Sequence, residues 1–148
     1  MTNSVKILEK RLYTATVTAK SGRVGRVASD DGALNVGVAL PKAMGGTGAP
    51  DTNPEQLFAA GYAACFGSGL AHVAAQQKVD PGPVEITAHV TLGPVGAGFG
   101  LAVELVAQIP ELARDQAEAL LRATHEVCPY SNATRGNIVV DIRLAPAL

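Results

Sequence analysis

Apolar and polar positions alternate along much of this chain, and the period lengthens to that of a helix in two places. Residues 10–20 alternate, with Tyr13, Ala15, Val17 and Ala19 on one side and Thr14, Thr16, Thr18 and Lys20 on the other. That pattern predicts a half-buried strand. Ser21-Gly22 predicts a turn and Arg23–Ser29 a second strand. Asp30-Asp31-Gly32 predicts another turn, after which Leu34, Val36, Val38 and Leu40 alternate as a third strand. Residues 41–53, rich in glycine and proline, predict a loop.

The helical segment that follows has a marked beginning. Asn53 suits the N-cap, Pro54 the first helical position and Gln56 the third, as in a capping box. The helix is expected to run to about Lys78. Its middle is apolar on every side, with Leu57, Phe58, Cys65, Phe66, Leu70 and Val73 spread around the axis, so it is expected to be buried all round. Gly61, Gly67 and Gly69 each cost about 1 kcal/mol relative to alanine in a helix interior, and close approach of another element is the expected compensation. One sheet covers one face only. A second copy of the chain is therefore expected over the other, in a homodimer with this helix at its centre.

Pro81-Gly82-Pro83 predicts a turn, and Val84, Ile86, Ala88, Val90 and Leu92 alternate as a strand. A glycine-rich connection, Gly93 to Gly100, leads to an apolar strand near Leu101–Ile109. A second helix is expected over about Glu111–Val127, with Ala113, Ala117, Leu120, Leu121 and Thr124 on one face and Cys128 continuing the stripe. Pro129 argues against continuation of this helix. Ile138, Val140, Ile142 and Leu144 predict a last strand. The order βββ-α-ββ-α-β is an α+β fold with mostly antiparallel sheet rather than a doubly wound βαβ sheet.

A chain of 148 residues suffices for a single domain, residues 1–148, with one core. Apolar residues at 47% and charged residues at 17% fit a globular protein. A net charge of −1 and a pI near 6.3 argue against a nucleic-acid-binding surface. Apolar runs are broken by glycine and polar residues, and Met1-Thr2-Asn3-Ser4-Val5-Lys6 holds no apolar signal core. Neither a membrane association nor export is expected, and the location read is cytoplasmic. Without export the sequon Asn132-Ala133-Thr134 carries no meaning. In a reducing compartment the two cysteines, Cys65 and Cys128, read as redox or catalytic groups rather than as a structural bridge.

Cys65 falls in the middle of the apolar helix, where a free thiol is commonly a small core hydrophobe. Cys128, at a helix end before Pro129, fits a packing role less well. Glu55 in the first turn of the cysteine helix could hold a guanidinium. Arg23 and Arg26 lie beside a turn, and arginine is suited to stabilising a thiolate and an oxygen anion. From the residues alone, the core and the catalytic readings of Cys65 both stand.

The segment Thr52-Asn53-Pro54-Glu55-Gln56-Leu57-Phe58-Ala59-Ala60-Gly61-Tyr62-Ala63-Ala64-Cys65-Phe66 resembles the first signature of the organic hydroperoxide resistance group of the Ohr/OsmC family. Val127-Cys128-Pro129-Tyr130-Ser131-Asn132-Ala133-Thr134-Arg135-Gly136-Asn137-Ile138 resembles the second. Leu12-Tyr13-Thr14-Ala15 and Gly98-Phe99-Gly100-Leu101 extend the likeness over nearly the whole chain. The resemblance implies an intertwined α+β homodimer, antiparallel sheets wrapped around central apolar helices, with two sites at the subunit interface. It implies Cys65 as the peroxidatic thiol, Cys128 as the residue that resolves its sulfenic acid into an intramolecular disulfide, and Arg23 and Glu55 as the family arginine and glutamate. It implies organic and fatty-acid hydroperoxides as substrates and dihydrolipoamide or a lipoylated protein as reductant, with no bound cofactor. The family often carries an aspartate just after the arginine; here Val24 stands there, and Arg26 is a second candidate cation.

An ordinary cysteine is only about 3% thiolate at pH 7, so full ionisation gains at most about thirtyfold. A preorganised donor at developing charge is worth on the order of 3 kcal/mol. Arg23 is therefore expected to serve mainly the breaking O–O bond, with Glu55 fixing it through a bidentate pair. Glu55 and Cys65, ten residues apart, lie about 15 Å apart along a straight helix and face different sides of it. A site shared between antiparallel helices of two chains is the expected solution. An apolar wall from Leu57, Phe66 and Gly93–Gly100 is expected to receive a hydrocarbon tail.

Three other readings compete. A zinc site from Cys65, His125 and Cys128 matches no common spacing; His125 fits better as a helix-end residue near the C-terminal dipole, and His72 and His89 as structural or surface residues. A non-enzymatic thiol sensor lacks an effector region. A cysteine hydrolase lacks a histidine beside Cys65 in either motif.

Overall fold

The computed structural model describes residues 4–146; Met1, Thr2 and Asn3, which begin the stretch read for a targeting signal, lie outside it. The chain forms two compact units that divide between Leu57 and Phe58.

The first unit holds β1 (Val17–Lys20), β2 (Gly25–Ser29) and β3 (Asn35–Val38), an antiparallel sheet in that order. Lys20 pairs with Arg26, and Gly25 with Val38. A Cβ on residue 25 would fall 2.0 Å from the Lys20 carbonyl oxygen, so the chain can leave this tight turn only as glycine. The predicted strand over residues 10–20 is realised only at its end, and it is not half-buried: Leu12 and Tyr13 are 85% and 82% exposed. The alternation there is real, but no layer of the single chain lies over its apolar side. The loop at 41–53 contains one 3-10 turn, Lys42–Met44. It then returns beside β3, with the Thr52 N–H donating to the Gly37 carbonyl and the Ala39 N–H to the Thr52 carbonyl. This return fixes where α1 (Pro54–Gln76) begins.

Asn53 caps α1 as predicted, its Oδ1 accepting the Gln56 N–H at 2.8 Å. Gln56 does not complete the capping box; its Oε1 instead accepts the Thr52 hydroxyl at 2.7 Å. The helix continues into the second unit and stops at Gln76, with Lys78 in the left-handed region (φ 57). Tyr62, Phe66, Leu70, Val73 and Ala74 are buried, while Ala60, Ala64, Ser68, Ala71 and Ala75 are exposed. Burial on every side is thus not realised within one chain, because a single sheet covers a single face. By length and composition alone α1 could cross a membrane; its buried residues instead fill the core of the second unit.

That unit is built on β4 (Glu85–Val95), β5 (Gly98–Gln108) and β6 (Val140–Leu144), ordered β4-β5-β6. Two expectations are corrected here, the glycine-rich connection and the number of helices in the crossover. Gly93–Gly100 is not a connection: strand pairing runs on through Gly93 with Gly100 to Val95 with Gly98, and only Gly96-Ala97 turn, Gly96 supplying φ 55. The last pair, β5 with β6, is parallel, because a helical crossover separates the two strands, and the other three pairs leave the sheets mostly antiparallel as expected. And that crossover contains two helices, α2 (Arg114–Val127) and α3 (Pro129–Thr134). Pro129 ends one and begins the other. Cys128 before it is extended (φ −65, ψ 124), and proline is at home in the first turn of the next helix. The α+β class stands, as β-β-β-α-β-β-α-α-β. Val103, Leu105 and Ala107 of β5 pack with Ala117, Leu120 and Leu121 of α2 and the buried face of α1.

Candidate active site

In the first unit, the turn Ser21–Val24 is closed by the Val24 N–H donating to the Ser21 carbonyl at 3.2 Å. It carries Arg23, and Glu55 waits in the first turn of α1. The guanidinium donates twice to the carboxylate: Nη1 to Oε2 at 3.0 Å and Nη2 to Oε1 at 2.6 Å. This is the bidentate pair expected from the sequence, and it forms within one chain. The hydrogen bonds from Arg23 hold the Glu55 carboxyl below its ordinary value, against the opposing effect of burial. The same bonds raise Arg23 above its own. Such forked, charge-assisted pairs fix a guanidinium in one plane. Arg26, the rival cation, bonds Asn35 Oδ1 at 2.6 Å on the exposed sheet surface. Val24 is exposed, so Glu55, not an adjacent acid, anchors the arginine.

In the second unit, Cys65 and Cys128 are brought together as free thiols. Cys65 is half-buried on α1; Cys128 is wholly buried at the junction of α2 and α3. The two are in hydrogen-bond contact, and the Tyr130 N–H donates to the Cys65 sulfur. Burial is the largest influence on Cys65 and pushes its thiol up; Cys128 adds to this through charge and hydrogen bonding, and only the Tyr130 N–H opposes. Cys128 itself is held by its N–H to the Thr124 carbonyl at 2.9 Å and its carbonyl to the Asn132 N–H at 2.9 Å.

The sequence reading missed what holds α3 in place. Tyr62 Oη lies 2.9 Å from Ser131 Oγ and 3.2 Å from Thr134 Oγ1, with all three residues buried. A Cβ at Gly61 would fall 2.3 Å from the Tyr130 hydroxyl; here the expected close approach to a helical glycine is met. The one available signal was a tyrosine within an otherwise apolar helical run, since a buried phenol needs a partner. An apolar recess of about 420 Å³ opens beside Tyr130, lined by Phe58, Leu101, Pro129, Ala133 and Ile138 among others. The expected wall from Phe66 is not there, because Phe66 is wholly buried in the core.

The histidines stand apart from the thiols. None is among the groups acting on Cys65. His125 sits in the last turn of α2 with its Nδ1 buried and without a hydrogen-bond partner, and burial lowers its pKa. His89 lies 3.9 Å from Glu104 on the sheet surface, and His72 is exposed on α1. Among the described residues, no three His, Cys, Asp or Glu side chains gather as a metal site would require.

The model of the OsmC-like protein family matches residues 46–143. An organic hydroperoxide resistance protein of Xanthomonas axonopodis pv. citri is 51% identical over 138 residues, covering 93% of this chain and 97% of that one. The organic hydroperoxide resistance protein OhrB of Bacillus subtilis is 49% identical over 137 residues, covering 90% and 98%. The crystal structure of an organic hydroperoxide resistance protein from Legionella pneumophila superposes with a TM-score of 0.89 at 48% identity, covering 93% of this chain and 100% of that one. A protein of this length and fold, alike to these over about nine-tenths of its chain, belongs to the OsmC-like family, on its organic hydroperoxide resistance branch.

Proposed function

We propose that this protein detoxifies organic hydroperoxides as a cysteine-based peroxidase. The Cys65 thiolate attacks the outer oxygen of ROOH, the O–O bond breaks, and the departing alkoxide takes a proton from solvent to leave as an alcohol. Cys65 is left as a sulfenic acid. The Cys128 sulfur then attacks the Cys65 sulfur; the S–S bond forms, the S–O bond breaks, and water leaves. A dithiol, dihydrolipoamide or a lipoylated protein, returns the disulfide to two thiols. Arg23, held by Glu55, stabilises the thiolate and the charge that develops on the departing oxygen. The observation that carries this reading is the contact of Cys65 with Cys128, since a resolving thiol acts within hydrogen-bond reach of its target. The apolar recess beside Tyr130 supports a hydrocarbon-bearing substrate over hydrogen peroxide. The names of the relatives point the same way. The reaction is proposed for the cytoplasm, where thiols are kept reduced.

The working unit is proposed to be a homodimer. The exposed face of Ala60, Ala64, Ser68, Ala71 and Ala75 on α1 suits close packing against another copy of the same helix. A site shared between chains belongs to this proposal. It is tested by mixing Cys65→Ser subunits with Glu55→Ala subunits: sharing requires activity above that of either parent.

Steady-state turnover of tert-butyl hydroperoxide, hydrogen peroxide and a fatty-acid hydroperoxide, with dihydrolipoamide as reductant, tests the function. The organic peroxides should be preferred, and Cys65→Ser should be inactive. Continued turnover by that variant would sink the assignment. Oxidation that halts after one equivalent, with excess dithiol present, would point to a sensor instead.

A further inference from the structure

Three hydroxyls are buried together where α1 meets α3. Tyr62 is 0% exposed, as is Ser131, and Thr134 is 5% exposed. Tyr62 Oη reaches Ser131 Oγ at 2.9 Å and Thr134 Oγ1 at 3.2 Å, while Thr134 Oγ1 also donates to the Ser131 carbonyl at 3.3 Å. Phenylalanine at 62 would fill the same space without a hydroxyl of its own to satisfy, and burying a hydroxyl is unfavourable unless it finds a partner. What such a cluster gives in return is direction: a hydrogen-bonded set has one good arrangement, whereas an apolar contact tolerates sliding and rotation.

The short helix fixed in this way carries what touches the reactive sulfur. Tyr130, one residue before Ser131, donates its N–H to Cys65, and Cys128, which caps the same helix, contacts Cys65 through its thiol. Tyr62 is three residues before Cys65 on α1, so the anchor and the nucleophile share one helix. Gly61 removes the Cβ that would push α3 away. The ring of Tyr62 also packs 5.5 Å from that of Tyr130.

We propose that Tyr62 is a positioning residue for disulfide formation: its hydroxyl, through Ser131 and Thr134, holds α3 so that Cys128 lies in line to displace the oxygen of the Cys65 sulfenic acid. This rests on the peroxidase reading above. In the step itself the Cys128 sulfur forms the S–S bond, the Cys65 S–O bond breaks, and the thiol proton leaves with the hydroxide as water. Both steps need in-line attack, but Cys128 is tethered to α3 and depends on that helix for its alignment along the S–O axis, whereas the peroxide is a mobile reactant whose alignment does not depend on α3. Loss of the Tyr62 hydroxyl is thus expected to slow resolution and spare oxidation.

The test is a single-turnover experiment with tert-butyl hydroperoxide on the full-length protein. The sulfenic acid is trapped with dimedone at successive times, and the disulfide is followed by mass spectrometry. Tyr62→Phe is expected to lengthen the sulfenic acid's life about tenfold, the factor that corresponds to about 1.4 kcal/mol, while the peroxide-dependent step stays within roughly threefold of wild type. Ser131→Ala, a smaller change that leaves Thr134 bonded to Tyr62, is expected to lie between them. It also serves if Tyr62→Phe does not fold, as judged by circular dichroism. Resolution at the wild-type rate in whichever variants fold overturns the inference alone, and so does equal slowing of both steps, which would mark general loosening. A wild-type protein that forms no disulfide overturns the peroxidase reading, and this inference with it.

Discussion

Glu55 should matter to catalysis only through Arg23, and the geometry sets how much. Two bonds of 3.0 and 2.6 Å hold the guanidinium. A preorganised donor aimed at developing charge is typically worth about 3 kcal/mol, so Arg23→Ala is expected to lower kcat/KM about a hundredfold. Glu55→Gln leaves the arginine in place, but it removes one accepting oxygen and the charge. Buried bonds to charged groups contribute roughly 1.5–3 kcal/mol. The Arg23 side chain is 38% exposed and that of Glu55 15%, so water screens the pair. A discounted figure of about 1 kcal/mol is appropriate, or roughly a fivefold loss. The double variant Arg23→Ala/Glu55→Gln should be no worse than Arg23→Ala, because an orienting residue has no function once the group it orients is gone. Initial rates with tert-butyl hydroperoxide and dihydrolipoamide give all four corners of the cycle, and urea unfolding shows whether any loss is one of folding. Two independent losses that multiply to roughly five-hundredfold would refute this reasoning. So would an Arg23→Ala variant within threefold of wild type.

The Glu55 carboxyl is held below its ordinary value in the folded chain, so the stabilisation it provides is present above the ordinary carboxylate range and is lost as pH falls through the lowered value. Arg23→Ala should flatten that acid limb of an unfolding-stability profile; an unchanged limb would mean that the pair does not hold in solution. Both effects of Cys128 on Cys65 are upward. Cys128→Ser is thus expected to lower the Cys65 thiol pKa, and alkylation by iodoacetamide should begin at lower pH; a midpoint that stays or rises would contradict the contact between the thiols. A Cβ at Gly61 would overlap the Tyr130 hydroxyl, so Gly61→Ala should cost roughly 1–3 kcal/mol of stability. Tyr130→Phe in the same chain should recover part of it, and thermal melts showing no recovery would place the strain elsewhere.

The start of α1 was legible because a cap depends on residue chemistry at fixed short spacing: Asn53 and Pro54 do what their types favour. The Arg23–Glu55 fork was legible only in part: Glu55 in a first helical turn could hold a guanidinium, but its partner lies 32 residues away, and the family likeness, not spacing, chose Arg23 over Arg26. Pro129 ended α2 as read, but the start of α3 at the same residue went unread, because proline forbids continuing one helix and is equally at home in the first turn of another, and nothing local announces the second. Gly93–Gly100 misled because glycine count reads as flexibility, whereas ladder pairing needs only backbone. The meeting of Cys65 with Cys128 was not legible from spacing at all. It is a contact between elements separated by a hairpin and a helix, and only the likeness to a family announced it. The hydroxyl cluster of Tyr62, Ser131 and Thr134 escaped for a related reason: each residue has an ordinary local role, and their partnership exists only in three dimensions.

Within its own unit, Cys65 is a poorer thiolate former than a free cysteine, since burial and Cys128 raise it and a single N–H resists. If ionisation were the main source of rate, this placement would be a defect. Yet an ordinary thiol at pH 7 forgoes only about thirtyfold by being mostly protonated, and the upward push on Cys65 adds to that loss. What the placement provides is a second thiol already in reach, an N–H aimed at the sulfur, and apolar space beside it. Proximity of this kind can be worth more than the whole ionisation term. The second unit thus accepts a protonated thiol as the cost of burying it against its resolving partner, and in the proposed mechanism Arg23 carries the charge on both the sulfur and the departing oxygen. A guanidinium given that task has to be fixed before the peroxide arrives, because a donor that must reorganise during the reaction loses much of its effect. The two short bonds to Glu55 provide that fixation.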